Sequence, residues 1–260
     1  MKLDSWVLDV VLYVFFLLML REGRLVLGKE RTSIFLWGTI QWTAIIENAM
    51  VILGGYDYFA YAGYYTFGGR TIEGYGGWFS WALFVPLAIC LGWFLLSLPA
   101  LLISIRILGE RTSIWVKAAF AGVMLVSFDM LLDPISVVNE WWRWTSPGFY
   151  LRGVTLGNYI GWFFLLFFFG AIFERTVLQK GGFTWLSGIE GRIFRTDTME
   201  LSGMETGRIG KIFYFRLMAF LPIFFVCCIG VSTVTLAFAN NWGPFDSVFP
   251  NKTFEIFGNP

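Results

Sequence analysis

Residues 129–162 read DMLLDPISVVNEWWRWTSPGFYLRGVTLGNYIGW, and this stretch concentrates polar and aromatic side chains between two apolar runs. Asp129 and Asp133 end the first run, Pro134 is expected to break it, and Asn158 opens the second. Acids and amides are costly to place in lipid, so they indicate a function that needs them. We interpret the rest of the chain as a membrane scaffold around this stretch.

Composition places the chain among membrane proteins. Of its 260 residues, 57% are hydrophobic and 14% are charged, and the mean hydropathy is +0.67, whereas soluble domains average about 25% charged residues. The predicted fold class is therefore all-α, a polytopic bundle of membrane helices. We expect residues 1–260 to form one transmembrane domain, with a cytoplasmic loop at about 174–211 and an extracytoplasmic tail at about 240–260.

Rare and missing residue types exclude several kinds of site. Cys90, Cys227 and Cys228 lie in apolar runs, without the spacing of a disulfide framework or a zinc site. Histidine is absent, which removes the usual haem ligand and the base of a Ser-His-Asp triad. We therefore predict no metal site, and proton chemistry that depends on carboxylates, tyrosines or lysines. The net charge of +1 argues against a nucleic-acid partner.

Six membrane spans are predicted, because a helix that crosses about 30 Å of hydrocarbon needs roughly 20 residues. Of the 19 Lys and Arg residues, 14 fall in the segments after spans 1, 3 and 5. By the positive-inside rule those segments are cytoplasmic, so the chain is a multi-pass integral membrane protein with both termini extracytoplasmic. The spans cover about 5–20, 33–54, 78–105, 114–132, 154–173 and 212–239.

A repeated pentapeptide, ERTSI, precedes spans 2 and 4, at residues 30–34 and 110–114. An internal duplication would explain the repeat. The preference of Ser and Thr for helix N-caps would explain it equally well. Both interpretations predict that each copy starts a membrane helix.

The acids within the spans fall at one depth. A rise of 1.5 Å per residue from the two pentapeptides places Glu47 about 21 Å and Asp129 about 22 Å into the membrane. Asn158 enters from the same side, as does Asp9 in span 1. These side chains are expected to converge on a shared cavity. Alternatively, Asp133 is an interfacial turn residue before a proline, and Asp9 is solvated at the surface.

Aromatic residues make up 20% of the chain, more than two interfacial belts need. Trp144 and Tyr150 fall in one outer loop, and Tyr64 and Tyr65 fall in another. They are either belt residues or a roof over the carboxylates. A roof would suit a lipid-soluble, π-rich or cation-forming substrate.

Four motif elements follow one another in the central stretch: Asp129-x-x-x-Asp133-Pro134, Trp142-x-Trp144, Gly148-x-Tyr150 and Asn158-x-x-Gly161-Trp162. Together they resemble the central motif of the membrane carotenoid-biosynthesis proteins, which include the carotenoid 1,2-hydratases. Looser upstream matches extend the resemblance over roughly residues 40–170; they are Glu47, Tyr64-Tyr65-Thr66 and the block from Pro86 to Trp93.

The resemblance implies addition of water, without a cofactor, to the terminal double bond of a linear carotenoid. Asp129 would act as the general acid and Glu47 or Asp133 would hold the water, and these roles are exchangeable. Asn158 would orient them through hydrogen bonds. The expected partner is a carotenoid or another long isoprenoid lipid in the membrane, bound by Trp144, Tyr150, Trp162, Tyr64 and Tyr65.

Two other classes of function stay open at this point. The chain could be a non-catalytic carotenoid- or lipid-binding subunit of a larger membrane complex, which residues 174–260 favour because they fall outside the resemblance. A transporter with a carboxylate relay has only the buried acids in its favour and lacks clearly broken helices. Formation of a hydrated carotenoid would separate catalysis from binding.

Overall fold

The computed structural model is a bundle of helices, which confirms the all-helical fold class. It describes residues 5–52, 56–58, 63–67, 70–74, 81–82, 85–139, 142–144, 149–195, 197–241 and 254–255. A short π-helix, Glu174–Leu178, continues directly from the fifth helix. In the described ranges the α-helices are α1 (Ser5–Leu27), α2 (Lys29–Ile52), α3 (Leu87–Leu108), α4 (Ile114–Val138), α5 (Leu156–Phe173), α6 (Thr184–Phe194) and α7 (Thr206–Asn241).

Four helices are long and apolar enough to cross a membrane. α1 and α2 pack against each other and against α3. Because α1 and α2 are not among the four helices that qualify in the described residues, six spans with both termini on the outside stay a prediction. The four qualifying stretches in the described part of the chain are Leu87–Leu108, Ile114–Val138, Leu156–Leu178 and Thr206–Val234.

A single residue separates α1 from α2. Gly28 has a φ of 85°, a left-handed conformation that suits glycine and commonly ends a helix. The Thr32 hydroxyl donates a hydrogen bond to the Gly28 carbonyl (2.8 Å). The first ERTSI copy therefore lies inside α2, whereas Ser113 of the second copy is the N-cap of α4. Both copies lie at the start of a helix, as expected, although Ser33 is not the N-cap of α2, because Gly28 lets α2 begin at Lys29.

α4 runs through Pro134 to Val138, so the expected break at this proline is wrong. A proline inside a helix removes the hydrogen bond of its own nitrogen, and membrane helices tolerate this where neighbouring elements compensate. Asp133 is consequently a buried helical residue, 2% exposed, rather than an interfacial turn residue. The helix ends at Asn139, whose backbone N–H donates to the Ile135 carbonyl (3.0 Å).

α4 and α5 make the most extensive helix–helix contact in the described chain. Gly122 of α4 lies so close to α5 that an added Cβ would be 2.9 Å from the Phe163 carbonyl oxygen. Trp42 of α2 donates its indole N–H to the Leu165 carbonyl (3.2 Å). These contacts set how far α5 is displaced along α4, and therefore which side chains meet across the pair.

Short strands join the helices at one end. β1 follows α2 and pairs antiparallel with β6, which follows α4, with Tyr56 opposite Trp144. β7 and β8 form a hairpin ahead of α5, with Arg152 and Gly153 at positive φ between them. The predicted aromatic loops are therefore joined through their backbones. The strands are β1 (Tyr56–Tyr58), β2 (Gly63–Phe67), β3 (Arg70–Gly74), β4 (Trp81–Ala82), β5 (Val85–Pro86), β6 (Trp142–Trp144), β7 (Phe149–Leu151), β8 (Val154–Thr155) and β9 (Phe254–Glu255).

The segment at about 174–211, expected as a loop, contains the π-helix, α6 and the start of α7. Arg216 of α7 is fully buried and donates two hydrogen bonds to the Glu190 carboxylate of α6 (2.7 and 2.8 Å). Its other N–H groups reach the Thr176 hydroxyl and the carbonyls of Gly181 and Thr198 at 2.7 to 3.0 Å. All five guanidinium donors are used, so this side chain fastens the segment to α7.

A second buried ion pair lies near the start of α4. Lys117 donates to Glu174, which also accepts a hydrogen bond from the Gln179 amide (2.9 Å). Two of the 14 basic residues behind the topology prediction, Lys117 and Arg216, are therefore held by buried acids. The predicted tail at about 240–260 lies outside the described residues, apart from 240–241 and 254–255.

Candidate active site

Asp129, Asp133 and Asn158 form a buried polar cluster between α4 and α5. The side-chain amide nitrogen of Asn158 donates to Oδ2 of Asp129 (2.8 Å) and to Oδ2 of Asp133 (2.5 Å). Asp129 is 0% exposed and Asp133 is 2% exposed. One neutral amide therefore connects both carboxyl groups.

Helix geometry explains why these three residues meet. Residues four apart lie on the same face of an α-helix, so Asp129 and Asp133 project from one face of α4. Asn158 lies in the first turn of α5, where the hydroxyl of the N-cap residue Thr155 accepts a hydrogen bond from the Asn158 backbone N–H (3.3 Å). The cap determines where α5 begins and thereby positions the amide.

In the described part of the chain, the two acids of the cluster have no basic partner. The ion pairs of the described residues involve other acids, and Oδ1 of Asp129 is buried with no hydrogen-bond partner in the same part of the chain. Buried charges are normally paired, and acids at membrane depth are functional-site candidates. The arrangement therefore points to chemistry rather than to packing.

Glu47 of α2 lines the same cavity as Asp133 and Asn158. The Trp93 indole nitrogen of α3 donates to Oε1 of Glu47 (2.9 Å). The ring of Trp93 lies 4.1 Å from that of Trp162, with 38° between the planes. The acid is thus oriented by an indole whose ring belongs to an aromatic pair.

A cavity of about 280 Å³ joins these groups. Its carboxyl, hydroxyl and amide groups come from α2, α4 and α5, whereas its other walls are apolar or aromatic. Asp129 is not among its lining residues in the described chain and is connected to it through Asn158. The lining residues are Glu47, Asp133, Ser136 and Asn158, together with Val11, Leu12, Phe15, Ala88, Ile89, Gly92, Trp93, Leu95, Leu96, Leu132, Trp144 and Trp162.

Residues 7–185 of the chain match the model of a family described as carotenoid biosynthesis protein. The chain belongs to this family. The matched range includes every cavity residue from Val11 to Trp162, whereas α7 lies outside it. The family model thus spans the part of the chain that forms the cavity, and the resemblance to the membrane carotenoid-biosynthesis proteins is confirmed.

The chain is similar to the bisanhydrobacterioruberin hydratase of Haloarcula japonica, with 37% identity over 105 residues. The match covers 37% of this chain and 34% of the relative, so it spans about a third of the relative's length. No solved structure matches the chain. These comparisons establish a carotenoid-related membrane protein, and its reaction is a matter for proposal.

The other predicted site residues of this carotenoid biosynthesis protein differ in whether they line the cavity. Trp144 and Trp162 line the cavity. Tyr150 is half-buried in β7 and is not among the described lining residues; burial raises the pKa of its hydroxyl above the ordinary value. Tyr64 and Tyr65 lie in β2, and their side chains, like that of Asp9, fall outside the described residues.

Sequence reasoning gave no role to two residues of the site. Trp93 stood out only as the end of an upstream family block, one of 13 tryptophans, and its hydrogen bond to Glu47 depends on the packing of α2 against α3. Ser136 lies three residues after Asp133 and therefore on the same helix face. Because Pro134 was expected to end the helix, the sequence did not indicate that Asp133 and Ser136 share a helix face.

Proposed function

We propose that the protein adds water, without a cofactor, to the terminal double bond of a linear carotenoid within the membrane. The observation that carries the proposal is the placement of Asp133, Asn158 and Glu47 on the wall of an otherwise apolar cavity. Apolar pockets with a few placed polar groups suit lipid-soluble ligands. Membership of the carotenoid biosynthesis family supports a carotenoid as the ligand.

Asp133 is the proposed proton donor. Two neighbouring buried carboxyl groups cannot both be charged at low cost, so Asp129 and Asp133 hold a proton between them. The Asp133 O–H bond breaks as a C–H bond forms at the less substituted carbon of the terminal alkene, which leaves the positive charge on the tertiary carbon. Asp133 is favoured over Asp129, the acid expected from sequence, because it lines the cavity.

The tertiary cation is stabilised by aromatic faces. Trp93 and Trp162 line the cavity beside the acids, and Trp144 contributes a further aromatic wall. An aromatic face stabilises a nearby cation by about 0.5 to 2 kcal/mol, with the larger value at desolvated sites. An apolar cavity with indole walls therefore suits a short-lived hydrocarbon cation.

Glu47 is the proposed acceptor of the water proton. The water oxygen bonds to the tertiary carbon as one of its protons passes to the Glu47 carboxylate, which the Trp93 N–H holds in place. The proton then returns through water to Asp133, so one molecule of water is added in each cycle and no redox partner is consumed. Asn158 and Asp129 act as positioning residues, since they hold Asp133 without needing to touch the substrate.

Expression in a strain that accumulates lycopene, followed by mass spectrometry, tests the proposal. The unmodified chain is expected to yield a carotenoid heavier by one water, and Asp133→Asn is expected to yield almost none. Asp197→Asn is the matched control, because it makes the same change at an exposed carboxyl outside the cavity. If the unmodified chain yields no hydrated product while unchanged carotenoid co-purifies with it, the protein binds carotenoid without converting it and the proposal falls.

A further inference from the structure

We infer that the cavity opens sideways to the lipid between α1 and α4, and that one end of a linear isoprenoid chain enters it while the remainder stays in the membrane. The identity of the chain rests on the proposed function. The opening rests on the arrangement of the helices. The sideways opening makes the cavity a binding site for the ends of isoprenoid chains.

Three residues of the cavity wall are also exposed on the surface of the bundle. Val11 and Phe15 of α1 are 43% and 54% exposed, and Leu132 of α4 is 43% exposed. A side chain that both lines a cavity and reaches the surface marks its rim. All three are apolar, and Leu132 belongs to α4, which is long and apolar enough to cross a membrane, so we infer that the rim faces hydrocarbon rather than water.

α3 forms the floor between these two rims. α1 packs on α2 and α3, whereas α4 packs on α3 and α5, which leaves the face of α3 accessible between α1 and α4. Ala88, Gly92 and Leu96 line the cavity at four-residue spacing along one face of α3. A Cβ added at Gly92 would have no atom within 4 Å, so this glycine leaves the floor open where a larger side chain would fill it.

The volume limits how much of the chain can enter. About 280 Å³ lies just below the ~300–1,000 Å³ of pockets that enclose whole drug-sized ligands, and a carotenoid is longer than such ligands. Only the terminal part of the chain fits, with its last double bond beside the acids. The two ends of one carotenoid therefore react in separate binding events. A chain end closed into a ring has a wider cross-section and lacks the terminal double bond, so we expect it to bind less well than an open end.

Substitution of the floor and the rim tests this inference in two independent ways. Gly92→Leu fills the floor, and Gly230→Leu is its control, because Gly230 is an exposed glycine of α7 that also has no atom within 4 Å of an added Cβ. Leu132→Trp narrows the rim, and Leu131→Trp is its control, because Leu131 is 62% exposed on α4 and does not line the cavity. Both test substitutions mainly add side-chain volume, and the indole N–H that Leu132→Trp introduces is matched in its control, Leu131→Trp.

Binding is measured by retention of lycopene on the purified full chain in nanodiscs, with β-carotene, whose ends are rings, as the comparison ligand. Gly92→Leu and Leu132→Trp are expected to weaken lycopene binding by about tenfold or more, because the added side chains occupy space that the chain end needs. The two controls are expected to bind as the unmodified chain does, and β-carotene is expected to bind poorly throughout.

The outcomes separate this inference from the proposed reaction. Lycopene binding that depends on Gly92 and Leu132 without any hydrated product sustains the opening and removes the hydration proposal. Unchanged binding by both test variants, or equal binding of β-carotene, overturns the chain-end site. Displacement of lycopene by an excess of saturated phospholipid overturns it as well, because the cavity would then accept any acyl chain.

Discussion

The two ends of the α4–α5 pair bury acids in opposite electrostatic settings. Near the start of α4, Lys117 meets Glu174 at the end of α5, and charge is matched by charge. Near the end of α4, Asp129 and Asp133 meet the neutral amide of Asn158 at the start of α5. The first arrangement fastens helices together. The second can gain and lose a proton without breaking an ion pair, which is what a site for proton transfer needs.

Arg216 and Glu190 repeat the first arrangement between α6 and α7, with both side chains fully buried. Removing one partner of a buried ion pair leaves an uncompensated charge and strongly destabilises a protein. The comparison therefore separates two consequences of substitution. Changes at the ion pairs should alter stability, whereas changes at the acid–amide cluster should alter turnover.

The largest effect is expected for Asp133→Asn. Asparagine keeps the size and polarity of the side chain but cannot transfer the proton, so turnover should fall by about 10²–10⁴-fold, as is typical when a general acid is lost. Asp129→Asn should lower turnover less, because Asp129 does not line the cavity. Hydrated carotenoid and thermal stability are measured on the same membranes. Undiminished hydration by Asp133→Asn would remove its catalytic role.

Arg216→Leu is expected to change stability instead of turnover. Leaving the Glu190 carboxylate buried and unpaired should lower the free energy of unfolding by about 3–5 kcal/mol. The double variant Arg216→Leu with Glu190→Leu should recover much of that loss, because neither charge remains. Chemical unfolding in detergent micelles gives the comparison, and turnover per folded molecule is the control. A single variant as stable as the unmodified chain would contradict the fastening role.

A smaller effect on turnover is expected for Trp93→Phe. Phenylalanine keeps an aromatic ring beside the cavity but removes the N–H that donates a hydrogen bond to Glu47. Loss of a hydrogen bond to a charged group costs about 1.5–3 kcal/mol. Turnover should fall by about 10–100-fold. Trp162→Phe is the control. It also replaces one indole of the aromatic pair with a phenyl ring, but Trp162 does not donate to Glu47 in the described structure. Equal losses in the two variants would show that Glu47 does not depend on the indole N–H.

The smallest effect is expected at Trp144, where two substitutions are compared. Trp144→Phe keeps a π-face and should be milder than Trp144→Leu, by about 0.5–2 kcal/mol of transition-state stabilisation. Relative rates of product formation at saturating carotenoid give this difference. Identical rates would mean that Trp144 acts as a wall only, without stabilising a cation.

Part of this architecture could be predicted because it depends on local spacing. Long apolar runs predict membrane helices, and counting residues along two of them predicts one depth for Glu47 and Asp129, which stays a prediction. The i, i+4 spacing of Asp129 and Asp133 predicts a common helix face. Asn158 was expected in the same place because it begins the next apolar run.

The remainder depends on partners far apart in the chain. Lys117 and Glu174 are 57 residues apart, and Arg216 and Glu190 are 26 apart, so their pairing follows from tertiary packing and not from any local pattern. Lysine and arginine near span ends look alike whether they face water or a buried acid. The proline in α4 was misjudged for a related reason, since its tolerance depends on neighbouring helices.

Because of the π-helix at Glu174–Leu178, the number of residues in this region is constrained as strongly as their identity. Its wide turn lets Glu174 and Thr176, only two residues apart, both be buried while they reach different helices: Glu174 contacts Lys117 on α4, and Thr176 accepts from Arg216 on α7. Deleting Arg175, which is half-buried, would make Glu174 and Thr176 neighbours, so that they would project from the helix about 100° apart instead of on nearly opposite sides. One of the two contacts would then be lost, although neither buried side chain had been changed.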